Sequence, residues 1–150
     1  MYNNISGFKT LGCDGLKDNM KRSTINFTDV KGGRASYRHT TIVEGQREDE
    51  EFYVAELKAQ LLAEAPKPKD AAYPTLAEHR ACKEHVKSTY CALVGDNVRY
   101  MRNALNSVAS GTFAFLFSLG CFTHFLDMLC EDLTGISKYT RYQKVPYSCG

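Results

Sequence analysis

The stretch Val108–Leu126, VASGTFAFLFSLGCFTHFL, decides the predicted fold of this 150-residue chain. No Asp, Glu, Lys or Arg occurs from Asn103 to Leu126, and no other part of the chain has so long an uncharged run. At a rise of about 1.5 Å per residue, a helix of this length matches the hydrocarbon core of a bilayer, which is about 30 Å thick. The stretch is therefore predicted to be a single transmembrane helix over residues 108–126.

The residues around the stretch favour a transmembrane helix over a buried one. Arg99 and Arg102 precede it, and Asp127 is the first of three acidic residues that follow it. The rest of the chain supplies too little apolar surface to cover a helix that is apolar on all sides. A helix buried in a globular domain is the alternative. The orientation in the membrane stays open, because basic residues flank both ends equally.

One side of this helix is predicted to carry a row of small residues. At about 100° per residue, five small side chains fall within about 40° of one line. They are Ser107, Gly111, Ala114, Ser118 and Cys121. Small residues let transmembrane helices approach closely, so the row is predicted to face a partner helix.

Residues 1–45 are predicted to form a long, irregular arm that binds partner proteins. The segment carries six glycines and no sustained helical period. Two β-prone pieces, Thr24–Val30 and Arg38–Val43, could add as strands to a partner, but two strands alone would be marginally stable. No apolar run near the N-terminus resembles the core of a secretory signal peptide.

Residues 46–95 are predicted to form two amphipathic extramembrane helices joined by a proline-rich linker. The first, Glu48–Ala65, begins with acidic residues and ends at a proline. The second, Leu76–Val94, begins with the capping-box pattern Thr75-Leu-Ala-Glu78.

The last third of the chain is predicted to contain one long helix and a short tail. The helix lies within residues 96–134 and includes the transmembrane stretch. Residues 135–150 alternate basic residues with tyrosines, a pattern that suits either lipid headgroups or solvent. The predicted fold class is therefore mainly α, with a single transmembrane helix.

Six cysteines raise the question of disulfides. Two pairs each have eight residues between them: Cys82 and Cys91, then Cys121 and Cys130. This spacing resembles the twin CX9C helical hairpins of the mitochondrial intermembrane space, in which two disulfides join two helices. Eight intervening residues set the sulfurs of a pair about 180° apart on a helix, so two straight helices cannot present both pairs to each other. Isolated disulfides are left open, namely Cys82 with Cys130 and Cys13 with Cys149.

Few residues are predicted to carry chemistry. His124 and Asp127 lie one helical turn apart at the end of the apolar stretch, and they are predicted to form a buried polar pair that binds a partner. No CxxC or HxxxH spacing predicts a zinc site, and no Walker, dinucleotide-binding or GxSxG motif occurs. No catalytic residue, metal site or cofactor is predicted.

These features together predict a non-catalytic accessory subunit of a large membrane complex. The preferred setting is a respiratory-chain or ATP synthase complex of the mitochondrial inner membrane. The expected partners are the other subunits and the lipid bilayer, with no small-molecule substrate. Nucleic acid is not expected, because the formal charge is only +2 and the basic residues are dispersed. The alternative is a soluble, cysteine-stabilised helical-hairpin binding protein of the intermembrane space.

Overall fold

The computed structural model describes residues 7–17 and 19–139. Contacts between residues divide the chain into two units, residues up to 120 and residues from 121 onward, and each is described separately. The tail beyond Tyr139, which includes Cys149, lies outside the described residues, and so do the first six residues of the predicted arm.

The first unit is built on a five-stranded mixed sheet. In chain order its strands are β1 (Lys9–Lys17), β2 (Ser23–Lys31), β3 (Arg34–Ile42), β4 (Tyr90–Gly95) and β5 (Phe117–Gly120). Their order across the sheet is β3-β2-β1-β4-β5. β2 is antiparallel to both of its neighbours, whereas β1, β4 and β5 run parallel to one another.

The two β-prone pieces of the sequence are strands β2 and β3 of one hairpin. Gly32 and Gly33 join them with φ angles of 57° and 75°, a left-handed turn that glycine adopts without strain. On β2 the side chains of Ile25 and Phe27 are fully buried, and both point to the face of the sheet that the helices cover.

Three helices complete the first unit: α1 (Glu50–Leu62), α2 (Leu76–Thr89) and α3 (Arg99–Ser110). The capping box at Thr75 and Glu78 is confirmed, because each side chain bonds the backbone N–H of the other residue. Apolar side chains from all three helices meet one face of the sheet in a single core. Its members include Leu11, Ile25, Phe27, Tyr53, Leu57, Leu61, Val86, Leu93, Met101, Leu105 and Val108.

The prediction of a mainly α-helical protein is wrong, because 29% of the structure is strand and 41% is helix. Two parts of the sequence account for the error. The predicted arm contains β1, which is the central strand of the sheet. Its sequence, KTLGCDGLK, is polar and rich in glycine and therefore does not resemble a strand. The end of the second predicted helix is β4, whose apolar run YCALVG also fits a helical face.

The predicted transmembrane helix is also wrong, because residues 108–126 belong to three different elements. Helix α3 ends at Ser110, β5 takes up Phe117–Gly120, and α4 begins at Phe122. Gly111 follows the last residue of α3, and Gly120 is the last residue of β5. The mean hydropathy of residues 108–126 does not reveal such breaks in a helix. Among the residues that the structure describes, no helix combines the length and apolar character that crossing a bilayer requires.

The second unit contains helix α4 (Phe122–Tyr139), which has 18 residues. One end of the helix carries a stacked pair of aromatic rings, Phe122 and Phe125, whose centroids are 6.5 Å apart. Several further apolar side chains of α4 are exposed, namely Leu126, Met128, Leu129 and Leu133.

Candidate functional site: an acidic pocket at the ends of the parallel strands

Two aspartates follow the same register position on the two central parallel strands. Cys13 of β1 is paired with Gly95, the last residue of β4. Asp96 is the next residue after β4, so it lies at the edge of the sheet where the parallel strands have their carboxyl ends. Asp14 follows Cys13 inside β1, is exposed, and lies on the face opposite the buried Cys13. In open α/β sheets, ligands bind in the crevice outside this edge.

A cavity of about 150 Å³ opens beside this edge. Its lining contains two carboxylates and three hydroxyl groups, and no nitrogen or sulfur ligand other than Met101. The lining residues are Gly15, Leu16, Ser23, Glu48, Tyr53, Asp96, Val98, Tyr100 and Met101. We refer to this cavity as the acidic pocket.

Helix α1 positions one wall of the acidic pocket. Asp49 caps the helix by accepting a hydrogen bond from the backbone N–H of Phe52 at 3.1 Å, which holds the neighbouring Glu48 at the pocket. Tyr53, one turn into the helix, stacks on Tyr100 of α3 with ring centroids 5.4 Å apart. The two rings therefore tie α1 to α3 at this wall.

Gly95 brings the opposite wall close to the sheet. A Cβ atom at this position would lie 2.9 Å from Cδ1 of Leu105 and 3.1 Å from Cγ of Met101. The missing side chain therefore lets α3 pack closely over the end of β4. As a result Asp96 enters the pocket beside α3, and its Oδ1 atom is buried.

The two tyrosines of the acidic pocket stay neutral at physiological pH. Burial raises the pKa of Tyr53, and the negative charge of Glu48 raises it further. Burial likewise raises the pKa of Tyr100, with additional contributions from Glu48 and Asp96. The tyrosine hydroxyls therefore remain protonated, and the carboxylates make the pocket negative.

The oxygen-rich lining suits a hard divalent cation such as Mg²⁺ or Mn²⁺. Within residues 7–17 and 19–139, no group of three or more His, Cys, Asp and Glu side chains is placed to hold a metal. Mg²⁺ does not require such a group, because it is commonly bound through one or two carboxylates and completes its shell with water and substrate phosphates. The pocket thus matches a cation that arrives together with a phosphate ligand.

Basic residues are sequence neighbours of residues that line the acidic pocket. Lys21 and Arg22 come just before Ser23, and Arg99 lies between Val98 and Tyr100. All three side chains are exposed. An acidic centre with a basic border fits a phosphate group, whose oxygens bind the cation while its neighbouring charges meet arginine and lysine.

The five residues of the predicted small row do not share a helical face. Ser107 lies in α3, Ser118 lies in β5, and the remaining three lie between elements. Ser107 donates a hydrogen bond to Oε1 of Glu50 at 2.9 Å, and Ser118 bonds Oδ1 of Asn106 at 2.5 Å. The hydroxyls of this row thus bond residues of the same unit.

The other predicted site residues lie in several elements. His124 and Asp127 lie three residues apart on α4, where Asp127 is exposed, and the binding of a partner by this pair stays a prediction. The five described cysteines form no disulfide, and this includes Cys82 on α2, Cys91 on β4, and the two predicted partners Cys121 and Cys130. Burial raises the pKa of a further thiol, Cys13, to about 12, so this thiol stays protonated.

Sequence reasoning missed Asp96 as a pocket residue, and it did not place Asp14 on the neighbouring strand. Asp96 fits the pattern of a helix cap, and Asp14 sits in a glycine-rich segment with no periodicity. The available signal was an aspartate directly after the short apolar run YCALVG, which is typical of the carboxyl end of a buried strand. The pairing of that strand with β1, which brings the second aspartate alongside, does not follow from the sequence.

Comparisons with protein-family models, with curated proteins and with solved structures found no match to this chain.

Proposed function

We propose that this protein binds Mg²⁺ or Mn²⁺ at the acidic pocket and acts on a phosphate diester. The observation that carries the proposal is the presence of two carboxylates, Glu48 and Asp96, in the lining of the acidic pocket, with Asp96 directly after the last residue of β4 at the carboxyl edge of the parallel strands. The proposal departs from the prediction of a non-catalytic protein without substrates, which no observation tests.

The chemistry of the lining suggests the part each group plays. Asp96 would hold the cation, which would polarise the phosphate and stabilise the charge that develops on its oxygens. A water molecule would attack phosphorus, Glu48 would accept its proton, and the ester P–O bond would break with transfer of a proton to the departing oxygen. The neutral hydroxyls of Tyr53 and Tyr100 are hydrogen-bond donors in the same pocket.

The basic border favours a diester within a longer anionic chain. Lys21 and Arg22 precede the lining residue Ser23 in the sequence, and Arg99 lies between the lining residues Val98 and Tyr100, so phosphates next to the cleaved group would meet positive charge. The small formal charge of +2 does not oppose this, because the relevant charges are local. A single-stranded oligonucleotide is therefore the substrate with which to begin.

The role as an accessory subunit of a mitochondrial inner-membrane complex stays a prediction. Its main support was the spanning helix over residues 108–126, which the structure divides among three elements. The alternative, a helical hairpin joined by disulfides, has β4 inserted between its two helices. We therefore do not carry either role further.

Titration of Mn²⁺ into the protein by calorimetry tests the proposal. The wild type is expected to bind Mn²⁺, and Glu48→Gln and Asp96→Asn are each expected to weaken binding by about tenfold or more, because each removes a negative charge from the pocket. Asp70→Asn serves as the matched control, since Asp70 is exposed in the linker between α1 and α2 and accepts a hydrogen bond from the backbone N–H of Ala72. Equal affinity in all four proteins, with unchanged circular dichroism, would remove the acidic pocket as the cation site.

A further inference from the structure

A second and larger cavity, of about 450 Å³, lies elsewhere in the first unit. It is formed by the end of α1, the proline-rich linker, the first turns of α2 and the turn after α3, and it shares no residue with the acidic pocket. Its volume falls within the range of about 300–1,000 Å³ that is typical of small-molecule sites. We refer to it as the proline pocket.

The walls of the proline pocket are apolar and rigid. They include Leu62, Ala65, Pro66, Pro68, Pro74 and Phe113. Phe113 is held in place from behind, because it is 2% exposed and packs edge-to-face on Phe115 at 5.9 Å. Proline restricts its own φ angle, so the backbone of this wall has little conformational freedom to lose when a ligand binds against it. A preformed apolar site of this kind loses little entropy when an apolar molecule enters it.

The charged groups of the proline pocket leave a positive site at its border. The carboxylate of Glu78 accepts hydrogen bonds from the backbone N–H groups of Lys69 at 2.9 Å and Thr75 at 2.8 Å, and these bonds lower its pKa. The carboxylate of Glu78 is therefore already hydrogen-bonded to the backbone of the linker. Lys67 and Lys83 also line the pocket, both are exposed, and neither forms a salt bridge with a described residue.

We propose that the proline pocket binds a small apolar molecule with one negatively charged head, of the class of medium-chain monocarboxylates. The apolar part would lie against the prolines and Phe113, and the carboxylate would meet Lys67 and Lys83. A cationic or uncharged molecule of the same shape would gain the apolar contacts without the charge contacts. This site is independent of the phosphate chemistry proposed above.

Three probes with the same ten-carbon chain test the choice of ligand: decanoate, decanol and decylamine. We expect decanoate, used below its micelle concentration, to bind about fivefold to tenfold more tightly than decanol, since two exposed ion pairs contribute that much. Decylamine should bind more weakly still. Binding of decylamine equal to that of decanoate, or no binding of decanoate, would overturn the proposal.

Charge variants and one cysteine locate the site. The double variant Lys67→Gln/Lys83→Gln is expected to lose the preference for decanoate over decanol, whereas the control Lys31→Gln/Lys87→Gln should keep it. Cys82 lines the pocket and its thiol donates to the carbonyl of Pro66 at 3.1 Å, so bound decanoate should slow its alkylation by N-ethylmaleimide. Cys91 lies outside the pocket and serves as the internal control. Unchanged alkylation of Cys82, or equal slowing at Cys91, would contradict binding at this place.

Discussion

Replacing Arg38 with alanine is expected to lower the free energy of unfolding by about 3–5 kcal/mol, because it leaves a buried carboxylate without its main partner. The side chains of Arg38 and Asp29 are each only 10% exposed. Nη1 of Arg38 donates to Oδ1 and Oδ2 of Asp29 at 3.2 and 3.1 Å, and Nη2 donates to the carbonyl of Gln60 on α1 at 2.6 Å. The guanidinium therefore joins β2 and β3 to the first helix.

The geometry of β3 explains why Arg38 reaches this position. The register between β2 and β3 shifts at Phe27/Thr28, where Phe27 pairs with His39 and Thr28 pairs with Tyr37. Arg38 is the extra residue of this bulge, and a bulge redirects a side chain relative to the regular alternation. Arg38 thereby points to the helix side of the sheet, where it also donates to the hydroxyl of Tyr90.

Urea unfolding measures the effect of Arg38→Ala. Arg34→Ala is the matched control, because Arg34 is an exposed residue of the same strand and its loss should change stability by less than about 0.5 kcal/mol. The decrease in the free energy of unfolding of Arg38→Ala should be close to about 3 kcal/mol, the lower end of the expected range. The reason is that Lys9, at 3.2 Å from Asp29, still offsets part of the buried charge. Equal stability of the two variants would show that the Arg38–Asp29 pair is not buried as described.

Asp96→Asn is expected to have the largest effect on activity. In Mg²⁺ the wild type should cleave a single-stranded oligonucleotide, and the variant should cleave it roughly 10²–10³-fold more slowly, because a buried charged ligand of the cation is lost. Asp70→Asn should retain the wild-type rate. Removal of Mg²⁺ with excess chelator should abolish cleavage by the wild type and by Asp70→Asn. A rate for Asp96→Asn that equals that of Asp70→Asn would contradict the assigned role of Asp96.

Local signals predicted the parts of the fold that depend on neighbouring residues. The capping box at Thr75 and the helix that follows it are present, and the β-prone pieces Thr24–Val30 and Arg38–Val43 correspond to strands β2 and β3. These features depend on hydrogen bonds and alternation over a few residues. Short-range patterns therefore sufficed for these elements but not for β1, β4 and β5.

Features set by long-range pairing were not predictable in this way. The uncharged run from Asn103 to Leu126 covers most of α3, a turn at residues 111–116, β5 and the start of α4, so its lack of charge does not mark a single helix. The parallel pairing of β1 with β4 joins residues about eighty positions apart, as in Lys9 with Tyr90. That pairing creates the acidic pocket, and no pattern within either strand specifies its partner.

Paramagnetic broadening of backbone amide signals by Mn²⁺ tests the central claim most directly, because it reports the position of the cation itself. Substoichiometric Mn²⁺ added to the ¹⁵N-labelled protein is expected to broaden first the amides around Gly15, Glu48 and Asp96. The amide of Ala72, beside the control carboxylate of Asp70, should stay sharp, and Asp96→Asn should suppress the broadening. Broadening that is uniform over the acidic surface, or that persists in Asp96→Asn, would contradict a cation site at the carboxyl ends of the parallel strands.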